Sequence, residues 1–281
     1  MLSRGRSFGM QGAMRQDERA HLPDNTEWEI LAIRYASKSL PAAHILLDPD
    51  PHDSEGVLDY FVWICRNGDR VVLVDTGFER EEGARRGRIM KTHPVDALAR
   101  LGITPEMVTD VFVTHLHYDH AGNLSHFPNA KIHLQDAEMN YATGRCMCHA
   151  RMRKPFSVAD VKTAVEMVYR DRVLFHDGDY TLYPGLRAKL VGGHSRGLQI
   201  LIADGERPLV IASDAVHLRR YLANDQLFPL FADYEATVEG YRLLRELMAD
   251  GAEILPGHDP DVLTLYPRVL PDWEDAVRIR P

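Results

Sequence analysis

The stretch THLHYDHAGN (114–123) places three histidines and an aspartate within six positions, directly after the apolar run VFV. Side chains packed so densely are costly unless a partner takes up their lone pairs. A divalent cation is such a partner. Side chains alternate along an extended segment, so His115 and His117 point to the same side and can share one ion. Asp119 and His120 come after the chain has turned and can address a second. The small Ala121 and Gly122 let the backbone turn and pass close by. Each ion needs more than two ligands, and His194 and His258 are candidates for the third on each. Asp214 has two carboxylate oxygens and can bridge both. Five histidines and two aspartates, with no thiolate, suit two divalent ions such as Zn, Fe, Mn or Co.

These residues need elements to position them. Each lies just past an apolar, β-branched run: Asp75 after VVLV, the 115–120 cluster after VFVT, His194 after KLVGG, Asp214 after LVIAS and His258 after EILPG. Strand ends opening onto loops are where rigid scaffolds place chemistry. The pattern predicts a first strand over 27–40 and a hairpin over 57–77 turning at Asn67-Gly68. Further strands are expected at 108–115, 130–135, 186–194, 198–204 and 208–214, with a last strand and loop over 252–259. Helical periodicity marks 94–103 and 234–251. The stretch 136–170 reads as polar and helical. Its part 157–170 starts at a capping Ser157 and places Val161, Val165 and Val168 on one face. No repeat and no Pro/Gly/Ser linker divides the chain. The organisation expected is one α/β domain over 28–281, sheets inside and helices outside, preceded by an arm over 1–27. That arm is either poorly ordered or docked on a partner subunit, which would make a homodimer.

Composition narrows the function classes. Of 281 residues, 45% are hydrophobic and 26% charged, as in an ordinary globular protein. A net charge of −8 repels phosphate backbones, so nucleic acid is not an expected partner. Cys65 reads as a small buried hydrophobe, and Cys146 and Cys148, in RCMCHA, are weak evidence for a metal clip. Three cysteines with no framework spacing fit a reducing cytoplasm. No apolar run is long enough to cross a membrane, and the first twenty residues lack the apolar region of a secretory signal.

THLHYDHAGN, GGHSRG, ASDA and PGHD, in that order and spacing, resemble the metal motifs of the metallo-β-lactamase superfamily, and VLVDTGF resembles its first motif. Within it the chain is most similar to N-acyl homoserine lactonases and related lactone hydrolases, through HLHYDHAGN, the helical insert after KIHLQDAEM, ASDA and GAEILPGHDPD. The resemblance implies the metallo-β-lactamase fold, a four-layer αβ/βα sandwich with a dinuclear site at one edge of its two sheets. It implies His115, His117 and His194 on one metal, zinc before the others. It implies Asp119, His120 and His258 on the second, Asp214 bridging, and Asp75 bonding a ligand rather than a metal. One departure stands out. Those lactonases carry a tyrosine three residues after the bridging aspartate, where this chain has His217. An imidazole can still donate a hydrogen bond, and Tyr221, one helical turn on, is a substitute if the segment is helical.

The activity implied is opening of a lactone, an N-acyl homoserine lactone or a relative. A metal-bridging hydroxide attacks the ring carbonyl, His217 steadies the developing charge, and Asp119 passes the proton to the ring oxygen. A thioester hydrolase of the hydroxyacylglutathione kind uses the same ligands, and the basic run RMRK (151–154) suits it. A phosphodiesterase also uses such a site, and a non-catalytic metal-binding protein is the remaining class. The substrate pocket is expected between the 136–170 insert and the Leu-, Phe- and Tyr-rich segment 216–233.

Overall fold

The computed structural model describes residues 26–50, 52–53 and 55–281. Most of the expected arm over 1–27 lies outside them.

Alternating apolar residues build two sheets. The first holds β1 (Glu29–Pro41), β2 (Glu55–Asn67), β3 (Arg70–Val74), β4 (Ile89–Met90), β5 (Asp110–Phe112), β6 (Lys131–Gln135) and β7 (Val173–His176). The second holds β8 (Tyr180–Tyr183), β9 (Leu186–Leu190), β10 (Gln199–Ala203), β11 (Leu209–Ser213) and β12 (Glu253–Pro256). The last strand, β13 (Ala276–Arg280), returns to the first sheet, whose order is β13-β1-β2-β3-β5-β6-β7 with β4 beside β1. The second sheet runs β12-β11-β10-β9-β8.

Strand alternation separates two cores. Ile30, Ala32, Phe61, Trp63, Cys65, Val72 and Val74 face the second sheet and pack on Leu186, Leu201, Leu209, Ile211 and Leu255. Their neighbours Leu31, Ile33, Val62, Ile64 and Leu73 join the outer core. There Ala97 and Leu98 of α2 (Pro94–Arg100) and Ala164 and Met167 of α5 (Val158–Tyr169) cover the first sheet. Tyr241 and Leu244 of α7 (Tyr234–Ala249) belong to the same outer core, with Ile200, Val210 and Ile254 of the second sheet. The result is helix, sheet, sheet, helix. Cys65 sits between the sheets, where burial pushes its thiol up to about 12.

Several local expectations shift. The hairpin loop is Gly68-Asp69, because Asn67 still pairs with Arg70. Gly68 supplies the positive φ of 55° that such a loop needs at its first position. The insert folds as α3 (Asp136–Thr143), a 3-10 turn over Arg145–Cys148, α4 (Ala150–Arg153) and α5. Ser157 caps α5 by accepting from the Asp160 amide, as the sequence suggests. The deepest line of α5 is Asp160, Ala164 and Met167, about one residue from the valine face expected. The strands β7, β8 and β13 had no clear alternation in the sequence. β7 is partly exposed at a sheet edge, so its side chains do not betray it. Among the described residues, no helix is long and apolar enough to cross a membrane.

Candidate metal centre

Topology brings the five strand ends to one edge. β3 and β5 run parallel in the first sheet, and β11 and β12 run parallel in the second. β9 and β11 both pair antiparallel with β10, so they share a direction. Two of these ends turn sharply. Asp75 follows β3 with φ 60° and Ser213 ends β11 with φ 45°, a region non-glycine residues adopt at a cost of about 1–3 kcal/mol. Gly122 must be glycine for a different reason: a Cβ there would lie 2.7 Å from Gly77 O.

Seven side chains converge at this edge. His115 Nε2 and His194 Nε2 each lie 3.0 Å from His117 Nδ1, and Asp214 Oδ2 lies 3.1 Å from His194 Nε2. On the other side His120 Nε2 and His258 Nε2 stand 3.9 and 4.0 Å from Asp119 Oδ2. Asp214 Oδ1 lies 3.3 and 3.0 Å from the same two nitrogens. Asp214 thus gives one oxygen to each group. Donors about 2.1 Å from one tetrahedral ion stand about 3.4 Å apart, which is the spacing found here. Two of the facing atoms, His120 Nε2 and Asp214 Oδ1, are buried without a hydrogen-bond partner. A buried polar atom without a partner is costly, and a cation supplies what these lack. The residues therefore fit two divalent ions.

Four of the five remaining ring nitrogens are committed elsewhere, which turns the free ones inward. His120 Nδ1 pairs with Asp75 Oδ2 at 2.7 Å, and His258 Nδ1 with Asp59 O at 2.8 Å. His194 Nδ1 pairs with Leu230 O at 2.9 Å, and His115 Nδ1 with Thr114 Oγ1 at 3.1 Å. Asp75 also accepts from the Thr114 amide and hydroxyl at 2.8 and 2.7 Å. It thereby joins His120 to Thr114, the residue before His115.

Electrostatics follow from burial. Desolvation, then neighbouring imidazoles, hold His115 and His117 well below the usual histidine range, so both offer lone pairs. Burial also opposes charge on His120, but Asp214, Asp75 and Asp119 outweigh it and push that histidine well up.

The structure places His217 in the cluster. Its Nε2 lies 3.2 Å from Asp214 Oδ2, and its ring stacks on Phe228 with centroids 3.7 Å apart. Burial lowers its pKa to about 4, so the ring is neutral near pH 7. Tyr221 is not brought there. The helix α6 (Arg219–Asn224) begins only after His217, and the buried Tyr221 hydroxyl donates to Ile45 O. A role for Tyr221 beside the ligands is therefore corrected: its hydroxyl is spent on the backbone before β2. Cys146 and Cys148 are free and join no group of metal-binding side chains among the described residues.

Sequence reasoning missed three supports. Glu138 is fully buried and accepts from the Leu116 and Gly197 amides at 2.8 and 2.9 Å, and from the Ser195 hydroxyl. It ties the His115–His117 loop to the His194 loop. Tyr35 donates to Asp119 O at 2.8 Å. Asp59 supplies its carbonyl to His258 and its carboxylate to Arg34 at 2.9 Å.

A cavity of about 340 Å³ opens on His117 and His194. Tyr141, Met152 and Pro155 of the insert form one wall, and Pro229, Leu230 and Phe231 the other. Both expected segments meet there.

The profile of the metallo-beta-lactamase superfamily matches residues 55–258. An N-acyl homoserine lactonase of Bacillus sp is 26% identical over 243 residues, covering 78% of this chain and 91% of that protein. The N-acyl homoserine lactonase AttM of Azorhizobium caulinodans is 33% identical over 167 residues, 57% of this chain and 62% of that protein. Among solved structures, an N-acyl homoserine lactone hydrolase with N-hexanoyl-L-homoserine bound at its catalytic metal centre superposes with a TM-score of 0.71. It shares 21% identity and covers 87% of this chain and 98% of that one.

Proposed function

From the premise that the chain belongs to the metallo-β-lactamase superfamily and is a metal-dependent hydrolase of lactonase type, we propose that it opens lactone rings on a dinuclear centre. The observation that carries this reading is the split of Asp214 between two histidine groups, one of which floors an apolar-walled cavity through His117 and His194.

In this reading His115, His117 and His194 would hold one ion, Asp119, His120 and His258 would hold the other, and Asp214 would serve both. The donor set takes zinc, with iron, manganese or cobalt as substitutes. Such ions supply Lewis acidity toward a carbonyl and lower the pKa of water. The chain's own residues orient the reaction. The cavity walls bury the substituent on the ring and exclude water from it. His217, neutral near pH 7, has an N–H to donate toward the carbonyl oxygen as charge develops there. Water adds to the acyl carbon and gives one proton to Asp119, the acyl–oxygen bond breaks, and Asp119 passes that proton to the departing ring oxygen. The product is an open hydroxy acid. An N-acyl homoserine lactone, the substrate class in the relatives' names, suits an apolar cavity.

The thioester reading has one observation in its favour: Arg151 lines the cavity. A panel of acyl homoserine lactones, other γ- and δ-lactones, a thioester and a chromogenic phosphodiester separates the readings. Asp214→Ala is expected to abolish lactone opening and lower bound metal. Full activity in a verified metal-free Asp214 variant would sink the mechanism.

A further inference from the structure

Besides the two imidazoles on its floor, the cavity is lined by one ionisable cation, Arg151, and by no carboxylate. Among the described residues Arg151 makes no hydrogen bond or ion pair. Its neighbours spend theirs. Arg153 donates to Met147 O and Cys148 O at 3.4 and 3.3 Å, and Arg86 to Lys154 O and Phe156 O at 2.8 and 3.0 Å. A second guanidinium adds to the field: Arg196 lies 5.5 Å from the ring centre of Tyr141, which forms part of the wall. The whole chain carries −8, so a cavity lining with one guanidinium and no carboxylate is a local reversal of sign. Arg151 is exposed while His117 and His194 are buried, so the cation marks the outer end and the ligands the inner.

We propose that Arg151 selects lactones whose ring substituent ends in a carboxylate. This rests on the lactone reading and adds the chemistry of the far end of the substrate. The ring lies over the ligands, the chain crosses the apolar walls, and the carboxylate meets the planar fork of the guanidinium, which matches it in two hydrogen bonds.

The test compares two lactones with the same ring and chain length, one ending in a carboxylate and one in its methyl ester. For the wild type kcat/KM is expected to favour the carboxylate about tenfold, mainly through KM, and the preference should shrink as salt is added. Arg151→Met should bring the ratio close to one, and Arg151→Glu should reverse it. An equal ratio in all three proteins, or a wild-type preference for the ester, overturns the proposal. Equilibrium binding of the two ring-opened acids to the metal-loaded protein gives a readout that does not need turnover. If no lactone opens, the lactone reading fails. The Arg151 assignment then stands or falls on whether the carboxylate-tailed acid still binds more tightly, and on whether Arg151→Met removes that difference.

Discussion

The two halves of the centre are held by different parts of the molecule. The half made by Asp119, His120 and His258 is encased by the first sheet. Asp75 at the end of β3 holds His120, the Asp59 carbonyl in β2 holds His258, and Tyr35 in β1 holds the Asp119 carbonyl. Tyr60 meets His258 edge-on at 5.0 Å, and Phe78 packs against Tyr35, Tyr60 and Tyr118. The half made by His115, His117 and His194 leans instead on inserted segments. Phe156 packs on His117, Leu230 holds His194, and Glu138 joins their loops. These same segments wall the cavity. One half is therefore fixed by strands every such sandwich needs, the other by loops that also choose what enters. Leu230 does both: its carbonyl orients a ligand while the residue lines the cavity. A substitution that reshapes this wall will also be felt at His194.

The sharpest way to break the contrast is Asp75→Asn. It removes charge from the acceptor of His120 and Thr114 while leaving the cavity untouched. Affinity for the second ion is expected to fall about 10–100-fold, measured by chelator competition, with the first ion affected less. Equal loss of both ions would show that the halves are not separately supported.

Glu138→Gln strikes the other half. One of the three donors around that carboxylate would meet an amide N–H instead of an oxygen. A loss of about 1–3 kcal/mol is expected. Thermal melting should fall by about 2–4 °C for each kcal/mol, and the His194 side should bind its ion more weakly. An unchanged Tm with unchanged metal affinity would remove Glu138 from this account.

A smaller effect tests whether the insert carries its own internal cost. Burial raises the Asp160 carboxyl in α5 to about 7, and one of its oxygens has no hydrogen-bond partner. Below about pH 4 the folded and unfolded chains both hold this proton and nothing is lost. Between about 4 and 7 the unfolded chain releases it first, so stability declines as pH rises, and above 7 the penalty is complete. Asp160→Asn, whose buried amide keeps part of the desolvation cost, should therefore raise Tm by a few degrees at pH 8 and leave it nearly unchanged at pH 4. A gain of the same size at both pH values would exclude the titration as its cause.

The residues of the cluster were legible because their signals are local. A period of two marks a strand, and a histidine or aspartate just beyond marks an end that opens on solvent. His133, buried in β6, and His176, half-buried on the edge strand β7, lacked such a setting and are satisfied by Asp110 and by each other, at 3.0 and 3.1 Å. The supports were illegible because they pair residues across long stretches of chain, often through a backbone carbonyl that any residue supplies. Asp59 and His258 are 199 positions apart. Tyr221 misled for a related reason. Helical spacing from His217 holds only if the helix starts there, and the chain turns after β11 and bends at His217 before α6 begins at Arg219.

Asp214 belongs to the second sheet and His115 and His120 to a loop of the first, with Thr114 Oγ1 and Ser213 Oγ meeting at 2.9 Å beside them. Ions held jointly by these residues, as proposed above, would be cross-links between distant parts of the chain, in a protein whose three cysteines are all free. A clip that closes a long loop limits the unfolded chain most, and ions that bind only the folded state stabilise it in proportion to their supply. Metal scarcity would then shorten the life of the protein as well as silence it, and its abundance in a cell would follow the metal available to it.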